Sequence, residues 1–276
     1  MRQEPGASKA ERGTDKSQLA VRARDHRKVQ VRLTVATDPA APSEILKAMR
    51  ADPSRSVRRA LAARTDAPGS LLRELARDSD LKTRQLLAEN PACPPDVLIT
   101  LVEDGHWSVR WSLPEHPAAN IEVCHAICRS TDEDLRRLLA ERGGLDDETN
   151  TKLVSDPSPN VRAGLAAHTD APDVLAILIA DADPKVRTGA TQNPLTTTDQ
   201  HRLLARDRSA AVRSAAVMSE QLPYEDLQRL AHDRSVNVRW WLATWPTTPE
   251  SIVRVLAEDS HPDVVAQAKA RLRKST

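Results

Sequence analysis

The sequence predicts an all-α fold built as a solenoid of about nine 26-residue two-helix repeats. Three observations carry the prediction. The first is a dipeptide in register: Val31-Arg32, Val57-Arg58, Thr83-Arg84, Val109-Arg110, Leu135-Arg136, Val161-Arg162, Val186-Arg187, Val212-Arg213 and Val238-Arg239. The spacing is 26 residues at every step but one, which is 25, and a degenerate tenth start falls at Val264-Val265. The second is a pair of fixed columns. With the Val as position 1, position 19 is always large and apolar, from Met49 and Leu75 to Leu256. Position 22 is Asp in all but one repeat, where Ser130 stands. The third is composition: aromatics are 2% of the chain and Phe is absent, so the core must come from Leu, Val, Ile and Ala. Self-similarity at a period of this length is the mark of a stacked-repeat architecture.

Each repeat reads as two short helices. One starts near the position-12 Pro (Pro42, Pro68, Pro94, Pro172, Pro223, Pro249), because proline suits a first helical turn. Its apolar positions 15, 16, 19 and 20 have helical spacing. The position-22 Asp ends it and is expected to cap the next helix. That second helix carries Val, Leu and Ala at positions 1, 5 and 6. It stops at turns such as Asn90-Pro91 or Thr169-Asp170. A helix of about 10 residues is only about 15 Å long, so one pair cannot bury a core alone and stacked neighbours must supply it. With helices about 10 Å apart, nine repeats predict a curved rod on the order of 90 Å.

The ends and irregularities follow. Residues 1–16 are polar and aperiodic and are expected to be a disordered N-terminal tail. Residues 17–276 are expected to form a single solenoid, with the array over about 29–273 and residues 17–28 as a worn capping helix. The segment 1–28 is mildly basic. At the other end Lys269, Arg271, Arg273 and Lys274 complement a final helix dipole. Between 109 and 160 the pattern breaks: Pro114 replaces an Ala, Gly143-Gly144 replaces the usual turn, and Thr149 and Asn150 fall on core positions.

Composition bounds the function. Charged residues are 29% of the chain, yet the net charge is +1, which argues against a strongly basic nucleic-acid binder. Three cysteines, Cys93, Cys124 and Cys128, form no disulfide framework and suit a reducing compartment. No apolar run approaches a membrane span, and no apolar signal core opens the chain. These features point to a cytoplasmic protein.

The run Asp-x-x-x-x-Val-Arg-x-x-Leu-Ala, followed by Asn-Pro-x-x-Pro and a Leu-rich helix, resembles the HEAT-like repeats. It is most similar to the variant leucine-rich repeats of bacterial proteins. The resemblance covers about residues 29–273 and implies a right-handed, armadillo-type α-solenoid whose Val-Arg helices line the concave side. In that family one of the two helices can be 3₁₀. Some members carry an N-terminal cysteine cluster that binds iron and sulfur; here no Cys precedes Cys93.

The Arg column could follow phosphates. Its near one-to-one match with Asp instead predicts a structural ladder of bidentate pairs, including Arg58, Asp78, Arg84, Asp104, Arg187, Asp207, Arg213 and Asp233. Trp111 and Trp240 share position 3, a chemically mixed and therefore exposed or half-exposed column. They are expected to be partner anchors or stacking platforms for bases. Trp241 is expected to be buried and Trp245 to plug a turn. Arg59 and Arg137, in the same column, and the acidic stripe Glu89, Glu115 and Glu141 at position 7 join the candidate surface. Cys124 and Cys128, with His116 and His125 nearby, are compatible with zinc, but small buried thiols fit their positions as well. No phosphate loop, nucleophile elbow or metalloprotease helix is present, so no catalytic residue, metal or cofactor is expected. The expectation is a non-enzymatic scaffold that binds a macromolecule, a protein partner in the first place, through the Val-Arg helix layer. The alternative is a HEAT-like DNA-binding protein or an alkylated-base DNA glycosylase, which the resemblance admits and Trp111 beside Glu115 weakly echoes.

Overall fold

A computed structural model of the chain describes residue 21 and residues 23–274. The tail expected over 1–16 and most of the capping segment's first residues lie outside the described residues. From Val29 onward the described residues form nineteen α-helices and no strand. They alternate between Val-Arg helices and a second set, Pro-initiated except where Asn120, Asp146 and Thr197 are the caps. In order, they are α1 (Val29–Thr37), α2 (Ser43–Ala48), α3 (Arg55–Ala62), α4 (Gly69–Leu75), α5 (Leu81–Ala88), α6 (Pro95–Val102), α7 (Trp107–Arg110), α8 (Ile121–Arg129), α9 (Glu133–Arg142) and α10 (Asp147–Val154). They continue as α11 (Pro159–His168), α12 (Pro172–Ile179), α13 (Pro184–Ala190), α14 (Thr198–Leu204), α15 (Ala210–Met218), α16 (Tyr224–Leu230), α17 (Val236–Thr244), α18 (Glu250–Leu256) and α19 (Pro262–Lys274). Both helices of each repeat are α; the 3₁₀ alternative is not used. None is long and apolar enough to cross a membrane.

The chain forms two compact units, Met1–Ser130 and Thr131–Thr276. In the first, the Val-Arg helices α1, α3, α5 and α7 pack each on the next, as do the helices of the second set, α2, α4, α6 and α8. Between the two layers lies an aliphatic core that includes Val57, Leu61, Leu72, Leu87, Leu98, Val109 and Ile127, all buried. The second unit repeats the scheme. Helices α9, α11, α13, α15, α17 and α19 form one layer, over a core that includes Leu135, Leu165, Val186, Val212, Leu242 and Val264.

Local chemistry sets the ends. Pro42, Pro68, Pro94, Pro223 and Pro249 sit at the N-cap, where no N–H need enter the helix. Pro172 sits one residue inside its helix, with Ala171 as the cap, which is how the 25-residue step is absorbed. The position-22 Asp does not cap the next helix directly. Its carboxylate accepts the N–H two residues on, as Asp78 does from Asp80 and Asp207 from Ser209. The N-cap is that later residue, as with Asp80, Asp183 and Ser209.

The irregular stretch has local causes. Helix α7 lasts four residues, because Pro114 has no N–H to offer Arg110 and restricts the residue before it. Helix α9 ends in Gly143 and Gly144 at φ 70° and 59°, the left-handed region glycine tolerates. In α10 the polar core residues are partly answered. Thr149 bonds through both its N–H and its hydroxyl to Asp146, and Asn150 Nδ2 donates to the Leu145 carbonyl. The Asn150 Oδ1 atom is buried without a partner. Position 4 marks the closest approach of the Val-Arg helices: a Cβ on Gly189 would stand 2.5 Å from the Ala163 carbonyl oxygen.

Candidate functional site

The most regular feature is the Arg–Asp fork. Arg58 donates through Nε and Nη2 to Asp78 Oδ2 and Oδ1 at 2.6 and 3.0 Å. Arg84 meets Asp104 at 2.5 and 3.2 Å, Arg187 meets Asp207 at 2.6 and 2.8 Å, and Arg213 meets Asp233 at 2.7 Å twice. The same fork joins Arg32 to Asp52, Arg136 to Asp156, Arg162 to Asp181 and Arg239 to Asp259. The third nitrogen reaches back one repeat. Arg58 Nη1 donates to the Asp52 carbonyl, Arg84 to that of Asp78, and Arg213 to that of Asp207, each at 2.7 Å. Arg110, whose repeat has Ser130 in place of Asp, also donates to the Asp104 carbonyl. Burial pushes the carboxyls of Asp104, Asp207 and Asp233 up. The guanidinium bond, the backbone N–H and nearby positive charge outweigh it, so all three lie below the usual carboxylate range. A guanidinium held on both sides in this way ties two repeats together and has few donors left for a ligand.

A second ladder, which the sequence reading missed, runs through position 8. Arg64 Nη1 donates to the carbonyls of Ala36 and Asp38 at 2.8 and 2.9 Å. Asn90 Nδ2 donates to those of Ala62 and Arg64, both at 2.8 Å, and Asn193 Nδ2 to those of Ala166 and Thr169, both at 2.9 Å. His116 Nε2 lies 2.9 Å from the Asn90 carbonyl, and Arg271 donates to the carbonyls of Trp245, Pro246 and Thr248. In each case a long donor satisfies carbonyls left open at the end of the preceding Val-Arg helix. The residue types vary, so no letter repeats. The available signal was a donor at a fixed position in every one of these turns.

The candidate surface residues fall into three groups. Trp111 is 56% exposed and Trp107, one turn earlier on α7, is 65% exposed. Trp107 lies before the Val, outside the core columns, with its ring stacked on His106 at 6.1 Å. Glu115, at position 7 of the same repeat as Trp111, and Glu89, at position 7 of the repeat before, are exposed. The second group is held in internal bonds. Arg59 forms a fork with Asp80, both contacts at 2.8 Å, and Arg137 bonds Glu141 at 2.7 Å and Asp134 at 3.4 Å. The fork on Arg59, with the N–H and hydroxyl of Thr83, holds the Asp80 carboxyl far below its ordinary range against a small burial cost. Arg59, Arg137 and Glu141 are therefore engaged within the fold.

The third group is the tryptophan cluster of α17. Trp240 is half-buried. Trp241, expected to be buried, is half-buried as well. Its ring lies edge-on to Trp240 at 5.1 Å and to Trp245 at 5.9 Å. Position 4 is a half-buried column in most repeats, as at Ala60, Leu86, Ser112 and Leu138. Trp245, at the α17 C-terminus, donates its indole N–H to Glu220 Oε1 at 3.2 Å. Of the cysteines, Cys93 and Cys124 are buried and Cys128 is half-buried. Burial pushes the Cys93 thiol up to about 12, which leaves it without thiolate character. Among the described residues no group of three or more His, Cys, Asp or Glu is placed to hold a metal ion.

Comparison with known families places the repeat. Residues 29–54, the unit that holds the Arg32–Asp52 fork, match the family model of the leucine rich repeat variant. That one unit is of the leucine rich repeat variant type. The later units of the chain keep the same Val-Arg and Asp columns in register with that variant repeat. Among solved structures, the chain is similar to a leucine-rich repeat variant described as having a novel repetitive structural motif. The two are 26% identical over 75% of this chain and 82% of that one, with a TM-score of 0.49. It is also similar to a designed armadillo repeat protein in complex with a (KR)4 peptide, at 14% identity over 95% of this chain and 100% of that one, TM-score 0.17. A second neighbour is a computationally designed armadillo repeat protein for modular peptide recognition, at 16% identity over 96% and 94%, TM-score 0.14. Comparison with curated protein sequences gives no match.

Proposed function

We propose that this helical-repeat protein is a non-enzymatic scaffold that binds a protein partner through its Val-Arg helix layer, anchored on Trp107 and Trp111. The observation that carries the reading is the exposure of these two indoles, 65% and 56%, at the start and at the C-cap of one short helix. Exposed aromatic pairs are what binding anchors look like before a partner covers them. An indole of about 250 Å² at that exposure leaves about 150 Å² uncovered, worth about 4 kcal/mol at most if fully buried. Glu89 and Glu115 give the neighbourhood an acidic character and favour a partner segment with basic side chains. Trp240 is a weaker anchor, since most of its surface is already covered. Arg59, Arg137 and Glu141 contribute through the bonds that shape the layer.

A protein is favoured over a nucleic acid by the forks. Eight guanidiniums of the Arg column are spent on Asp carboxylates, so the column offers no row of available cations for phosphates. The test is capture of partners on the purified protein, with and without nuclease, followed by affinity measurement on the captured protein. Trp107→Ala and Trp111→Ala should each weaken binding by about 30-fold, the equivalent of about 2 kcal/mol. Leu203→Ala, a control at another exposed apolar residue, should leave it unchanged. Capture abolished by nuclease, or indifferent to both indoles, would overturn the proposal.

A further inference from the structure

In the second unit, the turn after α15 and the turn after α17 enclose a recess of about 210 Å³. Val217, Leu222, Leu227 and Pro249 form its apolar wall, Tyr224 stands at its side, and Glu220 brings the single charged group of the lining. The Tyr224 hydroxyl lies 2.9 Å from Ser251 Oγ, which fixes the ring between α16 and α18.

Glu220 is the unusual member. Its φ is 62°, the one non-glycine residue in the left-handed region among the described residues. At the same repeat position, the ninth, Gly143 takes φ 70°. The turn therefore has a glycine solution within this chain, and a side chain is kept at Glu220 against a steric cost of order 1 kcal/mol. Part of what the side chain does is visible: Oε1 accepts the Trp245 indole N–H at 3.2 Å. The bond orients the carboxylate at the recess. Among the described residues the Trp245 indole is the one group bonded to this carboxylate.

An aliphatic wall ending in an oriented carboxylate matches an alkyl stem ending in an ammonium. We propose that this recess binds a lysine side chain of a partner segment, with the methylenes against Leu222, Leu227 and Pro249 and the ammonium on Glu220. The stem loses apolar surface to the wall. The ammonium gains a charge-assisted hydrogen bond beside low-dielectric side chains. The site shares no residue with the Trp107 and Trp111 anchor, so either proposal can fail without the other.

The probe is Nα-acetyl-lysine methylamide, titrated into the full chain. The readout is the indole Nε1–H resonance of Trp245, assigned by its loss in Trp245→Phe. Saturable movement of that resonance, with a Kd of order 1 mM, is expected. The uncharged Nα-acetyl-norleucine methylamide should bind at least tenfold more weakly, because it keeps the stem and lacks the ammonium. Glu220→Gln preserves an acceptor for the indole N–H and removes the charge. It should keep the melting temperature and lose at least tenfold in lysine affinity. Glu220→Gly should melt no lower than the parent and also lose the affinity. Equal binding by the norleucine analogue, undiminished binding in Glu220→Gln, or a Trp245 resonance that never moves would overturn the assignment.

Discussion

Replacing Arg187 with Ala should remove about 3 kcal/mol of stability. The side chain makes four bonds: two to Asp207 at 2.6 and 2.8 Å, and two through Nη1 to the carbonyls of Asp181 and Ala182 at 2.6 and 3.0 Å. Its side chain is 7% exposed and that of Asp207 is 11% exposed, so water cannot easily replace what is lost. Breaking a buried pair by removing one partner costs about 3–5 kcal/mol. The residual exposure places this pair at the lower end. Asp207 would remain buried with the Ser209 N–H and the charge of Arg208. The pH dependence gives a second readout. In the parent, the depressed pKa of Asp207 contributes stability that is present above the unfolded value of about 3.9 and is lost as pH falls through the folded value. In the variant, burial without Arg187 raises that pKa, so protonation relieves the strain. The deficit relative to the parent should therefore shrink as pH is lowered toward about 3. The assay is urea unfolding at several pH values, with hydrogen exchange to locate the loss in α13 and α15. The control is Arg187→Met with Asp207→Leu, which removes both charges and should be close to neutral. A single variant within about 0.5 kcal/mol of the parent at pH 7 would refute a structural role for the ladder.

Other outcomes follow from the same geometry. Gly189→Ala should destabilise by about 1–3 kcal/mol in thermal melts, because its Cβ meets the Ala163 carbonyl oxygen at 2.5 Å. Trp241→Ala should lower the melting temperature by the equivalent of about 2 kcal/mol, less than for a sealed core ring, and leave partner binding intact; loss of binding without loss of stability would reverse that assignment. Burial lowers the pKa of His116, against a smaller opposing effect of the Asn90 carbonyl, and burial lowers that of His201. The unfolded chain then binds more protons than the folded one just below the ordinary imidazole value of about 6.5. Stability should fall as pH drops through that range. His116→Asn, which reproduces the donor of Asn90 and Asn193, should reduce this slope if it folds as they do.

The repeats were legible because the residues that set them are chemically invariant. A guanidinium that must reach a carboxylate and a carbonyl at once has no substitute, so Arg and Asp recur as letters. The position-8 donors were illegible for the opposite reason. Arg64, Asn90, His116, Asn193 and Arg271 all place a donor near carbonyls at a helix end, and several side chains can do so. Repetition of function without repetition of residue type leaves no column to see. The same distinction explains the helix starts. The Asp column was visible, but its role depends on which N–H it meets. That proved to be the residue two along rather than the first helical turn.

The surface was legible only in part, and the tryptophans show why. Trp111 stands in a mixed column, which argues correctly that packing does not require a ring there. Column statistics say nothing of what a ring does to its own site. The column of Trp241 is mixed too, from Gly189 and Ala215 to Leu86 and Leu138, so it does not demand a buried ring either. Trp241 is half-buried like Leu86 and Leu138 in that column, and its ring packs edge-on against Trp240 and Trp245. The column for Arg59 misleads in the other direction. A charged residue among mixed neighbours reads as available, but Asp80 lies 21 residues on and takes both of its forked donors. Pairing over that distance is set by the repeat stacking and is invisible within either helix alone. What stays exposed after such pairings are made is the narrower set, Trp107, Trp111, Glu89 and Glu115. Trp107 and Trp111 stand at the start and at the C-cap of the four-residue helix that Pro114 cuts short.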